Sequence, residues 1–441
     1  MPAPRTAYAD IRQLPPGHSL LVTGENYQQP CSRSYWSLPV QPGFEGTFPQ
    51  ACEQLRQELT RAVEMRMISD VPLGAFLSGG IDSTIIVGLM SQLQKEPVTT
   101  CTIGFDNDLY DETPYARQTA RHFGTTHHEQ TVHADCLEAI EKLSYYYDEP
   151  FADSSALPTW YLSRLAREQV TVVLSGDGGD ECFGGYDRYR GLQLAEKLNR
   201  NLLLGWLLKR RFWQNLSSRE HRSFSKRLKR FASGMNLPVD RRYLQWMAVF
   251  DPDLLQEILT GSAVIPVWDR FAGYFPETTA FGSEAGRHAG QAMVCDGQMY
   301  LPGDLNTKTD RASMSVGLEL RCPFQDHKVM ELAYSLPIDW RIRGRVGKYI
   351  LRKACSDLLP PAIQNRPKRG FGVPVGSWFR DELRDLFCDT VLSPRAMARG
   401  YFHKTSLEKL LRENDNKQED HGHRLWALLM LELWFRKYIE K

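Results

Sequence analysis

The sequence predicts an α/β fold in which a parallel, doubly wound sheet is followed by a mainly helical C-terminal part. Two observations predict it. Residues 73–77 (LGAFL), 98–105 (VTTCTIGF) and 170–174 (VTVVL) are short apolar or β-branched runs, and helical stretches at 83–94 and 114–123 lie between them. Strands that alternate with helices form βαβ units, whose strands run parallel. Beyond residue 190 the apolar spacing becomes helical, at 192–235, 289–316, 325–335, 347–358 and 404–438.

Taken in order, residues 1–45 hold short extended runs such as SLLV, set between Pro and Gly with no helical period, and read as the tail of a domain. From Phe48 to Ile68 the residues Leu55, Leu59, Val63 and Met67 recur at helical spacing, so an amphipathic helix leads into DVPLGAFLSGGIDS. The remaining length, 46–441, is long enough for a sizeable core of its own.

Composition excludes several classes. The 54 basic and 53 acidic residues nearly cancel, which leaves no long-range field to draw in nucleic acid or an anionic membrane. One local exception, Lys209 to Arg230, carries nine basic residues against Glu220; its interleaved Trp206, Phe212 and Leu228 read better as the packed face of a helix pair than as an RNA contact. The nine cysteines are scattered without metal-ligand or redox spacing, which fits reduced thiols and a cytoplasmic location. Neither a leader-like N-terminus nor a run of about 18 apolar residues is found, so no membrane span is expected.

The strongest local signal is Leu77-Ser78-Gly79-Gly80-Ile81-Asp82-Ser83, where an apolar strand gives way to a helix. Such a turn points unpaired backbone N–H groups and the positive end of the helix dipole at an anion. Gly79 and Gly80 allow close approach, Ser78 and Ser83 add hydroxyls, and Asp82 can hold a hard cation such as Mg²⁺. The plainer alternative is a Gly-rich turn in which Asp82 or Ser83 merely caps the helix. A second loop of the same kind, Ser175-Gly176-Asp177-Gly178-Gly179-Asp180-Glu181, follows the β-branched run. Two such loops can meet at the C-terminal edge of one sheet and give Mg²⁺ two carboxylates, Asp82 and Asp180. No Walker A sequence is present, because GRVGKY has the wrong spacing, and no G-x-G-x-x-G follows a strand.

Three further groups of residues remain. Tyr300 to Asp304, with Lys308, Asp310, Arg311, Glu319, Arg321 and Asp326, suits a substrate pocket or a structural ion-pair network equally. Lys348 opens a helix, and Arg366, Lys368 and Arg369 flank a Gly-rich stretch; a cation there could stabilise charge on a phosphoryl group. His127, His128, His421 and His423 lack ligand spacing and read as structural or exposed.

In this order, SGGIDS, SGDGGDECFGGY, YLPGDLNTKTDRASM, GLELRCPFQDH, GKYILRKA and HRLWALLMLELW resemble the glutamine-hydrolysing asparagine synthetase family, over residues 46–438. The resemblance implies an adenine-nucleotide alpha hydrolase-like fold, also called the N-type ATP pyrophosphatase fold, that uses ATP and Mg²⁺. It implies that Ser78, Gly79, Gly80, Asp82 and Ser83 bind pyrophosphate, that Leu77, Ile103 and Gly176, with Ser175, hold the nucleoside, and that Asp82 and Asp180 carry the metal. Lys348, Asp177 and Asp180 become the expected catalytic residues. The implied reaction adenylates a carboxylate, foremost the aspartate side chain, and transfers ammonia to give the amide and AMP.

Two departures qualify the match. Many family members carry Glu where this chain has Asp177, so other acceptors remain open: a sugar acid, or an amino acid closed into a ring as in β-lactam synthetases. Family members also begin with an Ntn-type glutaminase domain whose nucleophile is a cysteine at position 2, where this chain has Pro2. Thr6-Ala7-Tyr8 and Ile11 to His18 resemble only the last strands of that domain, so 1–45 is expected to be its remnant and the chain is not expected to hydrolyse glutamine. A separate glutaminase partner and a homodimer are compatible with this reading, as is a nucleotide-binding subunit without catalysis, against which the presence of Asp82, Asp180 and Lys348 argues.

Overall fold

The predicted strands assemble into one five-stranded sheet in the computed structural model. The structure describes all residues except 26, 28, 29, 41, 106–109, 133–136, 201–223, 262–270, 277–283, 367–369, 371 and 441, and except the side chains of 200, 224–227 and 284–285. The basic cluster from Lys209 to Arg230 thus lies almost wholly outside the described side chains, as do Lys368 and Arg369.

Near the N-terminus, β1 (His18–Leu21) and β2 (Cys31–Ser34) form an antiparallel hairpin. Helix α1 (Phe48–Met67) follows. Its start is fixed by Thr47, whose backbone N–H donates to the Gln50 side chain at 2.8 Å, so an otherwise unpaired end group is satisfied. The predicted stripe is real: Leu55, Leu59 and Val63 are fully buried and Met67 packs against the same core.

The main sheet consists of β3 (Leu73–Phe76), β4 (Thr99–Phe105), β5 (Thr126–Val132), β6 (Val172–Leu174) and β7 (Glu319–Arg321). Its order is β5-β4-β3-β6-β7 and every pairing is parallel. The chain builds outward from β3 to β5, then returns to β6 on the other side of β3. The order therefore reverses between β3 and β6, and an open parallel sheet offers a crevice at such a reversal.

Alternation along each strand sends neighbouring side chains to opposite faces. Ala75 and Leu174 join a core with α1 and α2 (Ile81–Leu93), and α3 (Thr113–Phe123) contributes Ala116 and Ala120 to it. Val173, Cys101 and Ile103 join a second core with α4 (Leu137–Tyr146), α5 (Ala156–Arg167) and the C-terminal helix Gly422–Trp434, which adds Trp426 and Leu429. Helices thus cover both faces of the sheet.

The structure adds two strands to those predicted. β5 (THHEQTV) is an edge strand whose residues are mostly exposed or half-buried, so it lacks an apolar run, and β7 has three residues. The helical region from 289 to 316 is also less regular than expected. Asp296–Asn306, which contains Pro302, winds as a π-helix between the α-helices Glu284–Cys295 and Thr307–Met314. Wide turns of this kind recur at functional sites. Among the described residues no helix is long and apolar enough to cross a membrane.

Candidate active site

The loops after β3 and β6 emerge side by side at the reversal point and open onto a cleft of about 960 Å³. Both are stiffened from within. Ser78 and Ser83 share a hydroxyl contact at 3.1 Å, Gly80 N–H donates to Ser78 Oγ at 3.2 Å, and Ser83 Oγ donates to the Gly80 carbonyl at 3.3 Å. Gly79 has φ +64°, and a Cβ there would lie 2.4 Å from the Tyr115 backbone, so α3 presses the turn into a shape that a larger residue resists. In the second loop Ser175 Oγ donates to Asp177 Oδ2 at 2.7 Å.

Lys348 joins the loops. It caps the short helix Tyr349–Ala354 in the left-handed region, φ +56°, and its N–H donates to the Phe183 carbonyl at 3.0 Å. Its ammonium pairs with Asp82 and, at 2.6 Å, with Asp180, while the residue is only 4% exposed. Gly185 makes this possible, since a Cβ on it would lie 1.8 Å from Asp180 Oδ1 and 2.3 Å from Lys348 Cε. Two converging carboxylates are hard oxygen donors of the kind that would suit a divalent ion such as Mg²⁺. Asp82 and Asp180 thus fit the expected Mg²⁺ pair, although no group of three or more His, Cys, Asp or Glu forms a full metal cage among the described residues.

The cleft collects the predicted residues. Leu77, Ser78, Gly80, Asp82, Ser83, Ile103, Ser175, Gly176, Asp177, Asp180 and Lys348 all line it, and Gly79 supports the first loop from behind. Phe76, Leu77 and Ile103 from the sheet and Thr159 and Leu162 from α5 make one part apolar. Arg366 pairs with Glu112, donates to the Ser78 carbonyl at 3.0 Å and lies 4.0 Å from the Tyr115 ring, so it braces the first loop.

The charged cluster, for which pocket and ion-pair readings stood level, divides between them. Lys308, 8% exposed, donates to Asp153 Oδ2 and Ser155 Oγ, both at 2.9 Å, and lines the cleft with Tyr300. Burial pushes the Asp153 carboxyl up, but Lys308 and Ser155 outweigh it and hold Asp153 below its ordinary value. Asp304 is pushed up to about 7, by burial first and Asp153 second, against Lys308 and a hydrogen bond from Tyr300. Glu181 is likewise pushed up to about 7 by burial and the adjacent Asp180, and it accepts a hydrogen bond from Tyr186. By contrast, Asp326 pairs with Arg66 and Arg61, Arg321 with Glu319, and Arg311 with Asp148, away from this cleft.

The two histidines near the C-terminus sit differently. His421 is structural as expected, 3% exposed and bonded to Glu413. His423 instead lines the cleft and meets Ser154 Oγ at 3.2 Å. Asp153, Ser154 and Ser155 also escaped the sequence reading; DSS preceding a helix reads simply as a cap, and only the pairing with Lys308 gives it another use.

Comparison with known proteins agrees with this geometry. The asparagine synthase family model matches residues 54–436. Asparagine synthetase [glutamine-hydrolyzing] 1 of Bacillus subtilis is 26% identical over 443 residues, covering 100% of this chain and 67% of that protein. A putative asparagine synthetase [glutamine-hydrolyzing] of Mycobacterium tuberculosis is 30% identical over 462 residues, covering 100% of this chain and 66% of its own. Amidase chry2 of Gibberella zeae is 24% identical over 94% of this chain and 66% of its own length. The chain spans about two thirds of the length of these relatives.

Proposed function

This chain belongs to the asparagine synthase family, and from that premise we propose that it is a C–N bond-forming ligase that adenylates a carboxylate with ATP and passes the acyl group to ammonia. The observation that carries the proposal is the Lys348 ammonium set between Asp82 and Asp180, where two glycine loops meet at the reversal of a parallel sheet. In this reading the sheet is of the adenine-nucleotide alpha hydrolase-like kind, residues 46–441 form the synthetase unit, and 1–45 are the tail of a glutaminase-type domain.

The nucleoside occupies the apolar part of the cleft beside Leu77 and Ile103, and the phosphates face the N–H groups of the loop from Ser78 to Ser83. Asp82 and Asp180 would hold Mg²⁺, which neutralises charge on the leaving pyrophosphate when bound. A carboxylate oxygen of the acceptor attacks the α-phosphorus, the bond to the β-phosphate breaks, and Lys348 stabilises charge as it gathers on the departing group. Ammonia then attacks the acyl carbon, a proton is lost and AMP leaves. A free carboxylate resists an amine; the mixed anhydride with AMP supplies the leaving group. Asp177, Lys308 and Asp153 face the remaining part of the cleft and position the acceptor, foremost aspartate. Free ammonium or a separate glutaminase partner is the source of the ammonia, and the reaction takes place in the cytoplasm.

The test is incubation with ATP, Mg²⁺ and aspartate plus ammonium or glutamine, following pyrophosphate release and identifying the amide by mass spectrometry. Asparagine formed from ammonium, and lost in Asp82→Ala, is expected. Turnover with other carboxylates only would move the acceptor, which the shorter Asp177 favours as a second reading. Absence of ATP binding would refute the proposal.

A further inference from the structure

Beside the cleft, where nothing in the proposed chemistry requires it, lies a largely buried ion pair of Arg188 and Asp296 set among tyrosines. Asp296, fully buried at the start of the π-helix, accepts hydrogen bonds on one oxygen from Arg188 Nη2 at 2.7 Å, Tyr189 OH at 2.5 Å and Tyr243 OH at 2.6 Å. Arg188 also donates to Tyr243 OH at 2.7 Å. Its guanidinium, fixed in place by these bonds, lies 3.7 Å from the centre of the Tyr186 ring and 4.9 Å from that of Tyr300. Those two rings, 6.3 Å apart and edge to face, line the cleft, whereas Arg188 does not. Tyr186 also donates its hydroxyl to Glu181.

The part of the cleft that these tyrosines wall is identified by elimination. Leu77, Ile103, Thr159 and Leu162 make the apolar part, and Asp82, Asp180 and Lys348 mark the phosphate part. Tyr186 follows Gly185, which packs on Asp180, and Tyr300 lies on the π-helix that runs into the helix carrying Lys308. The two rings thus line the cleft together with Lys308 and Lys348, and the functional reading gives that part to the acceptor.

We propose that Arg188, anchored by Asp296, is a positioning residue that sets the acceptor end of the cleft by holding the rings of Tyr186 and Tyr300 against one guanidinium. This inference rests on the functional reading above. A planar, delocalised cation is needed because it can stack on two rings while bonding to Asp296 at its edge; a lysine supplies the charge without the plane.

The experiment is steady-state kinetics of pyrophosphate release by the full chain, varying L-aspartate and ATP separately, for wild type, Arg188→Lys, Tyr300→Leu and the double variant. Arg188→Lys keeps a cation beside Asp296, so the fold is retained, and melting temperature monitors this. The expected result is a rise of about ten-fold in KM for L-aspartate in each single variant, the size of one or two lost cation–π contacts, with KM for ATP within about two-fold of wild type. The double variant should be no worse than the poorer single one, because the contact that Tyr300→Leu removes is among those that Arg188→Lys has already lost. If both KM values rise together, if neither moves, or if the two effects multiply, the positioning role is overturned while the functional reading stands. If the wild type releases no pyrophosphate with any carboxylate, the functional reading falls first and this inference falls with it.

Discussion

Removing the Lys348 side chain tests the centre of the site. Lys348→Ala leaves Asp82 and Asp180, with side chains 15% and 11% exposed, facing each other without their shared cation. Deleting one member of a buried ion pair costs about 3–5 kcal/mol, and the open cleft beside these carboxylates places the loss at about 3 kcal/mol. Lys348 also holds φ +56°, a conformation that disfavours any residue with a Cβ by about 1–2 kcal/mol. Lys348→Gly loses the same ion pairs but relieves that strain, so it should be more stable than Lys348→Ala by about 1 kcal/mol after the greater freedom of unfolded glycine is counted. Denaturant titration measures both differences. Added Mg²⁺ should raise the melting temperature of either variant more than that of wild type, because the ion would replace the missing ammonium. In pyrophosphate release, both variants should lose about 10²–10³ in kcat, the usual cost of removing one preorganised charge from a transition state. Activity within ten-fold of wild type, or an alanine variant as stable as the glycine one, would refute the reasoning.

Two further predictions bear on the same cleft. Gly185→Ala places a methyl group 1.8 Å from Asp180 Oδ1 and 2.3 Å from Lys348 Cε, so it should cost about 1–3 kcal/mol of stability and displace both charges; a variant with wild-type kcat in the pyrophosphate assay would count against the close packing. Asp304 has its carboxyl raised from 3.8 to about 7, so the folded protein keeps a proton that the unfolded chain releases; this group's contribution to stability is greatest below about pH 4, declines as pH rises towards 7, and is flat above. Asp304→Asn should therefore gain stability relative to wild type across that window, and parallel pH–stability curves for the two proteins would contradict the assignment.

Much of this was readable in the sequence because the deciding features are local. A β-branched run such as Val172 to Leu174 favours a strand through its local preference, and a glycine, serine and aspartate turn after it can offer an anion its own N–H groups. The stripe Leu55, Leu59 and Val63 likewise announced α1 and its buried face. β5 was not legible because an edge strand with half-exposed polar residues lacks the periodic signal, and the basic cluster from Lys209 to Arg230 lies almost entirely beyond the described side chains.

The sequence by itself thus determined the central strands, most of the helices, the two loops and the chemistry each could offer. Only the tertiary structure decided which of these meet. Asp82 and Lys348 are 266 residues apart, and Lys308 and Asp153 are 155 apart; their pairing depends on the reversal of strand order between β3 and β6 and on how α5 packs against Thr307–Met314. His423 shows the same dependence: it opens the HRLWALLMLELW motif, but only the docking of helix Gly422–Trp434 carries it to Ser154 and the cleft. The physical reason is that backbone propensity and burial pattern act over a few residues, whereas the partner of a buried charge is chosen by the packing of whole elements against one another.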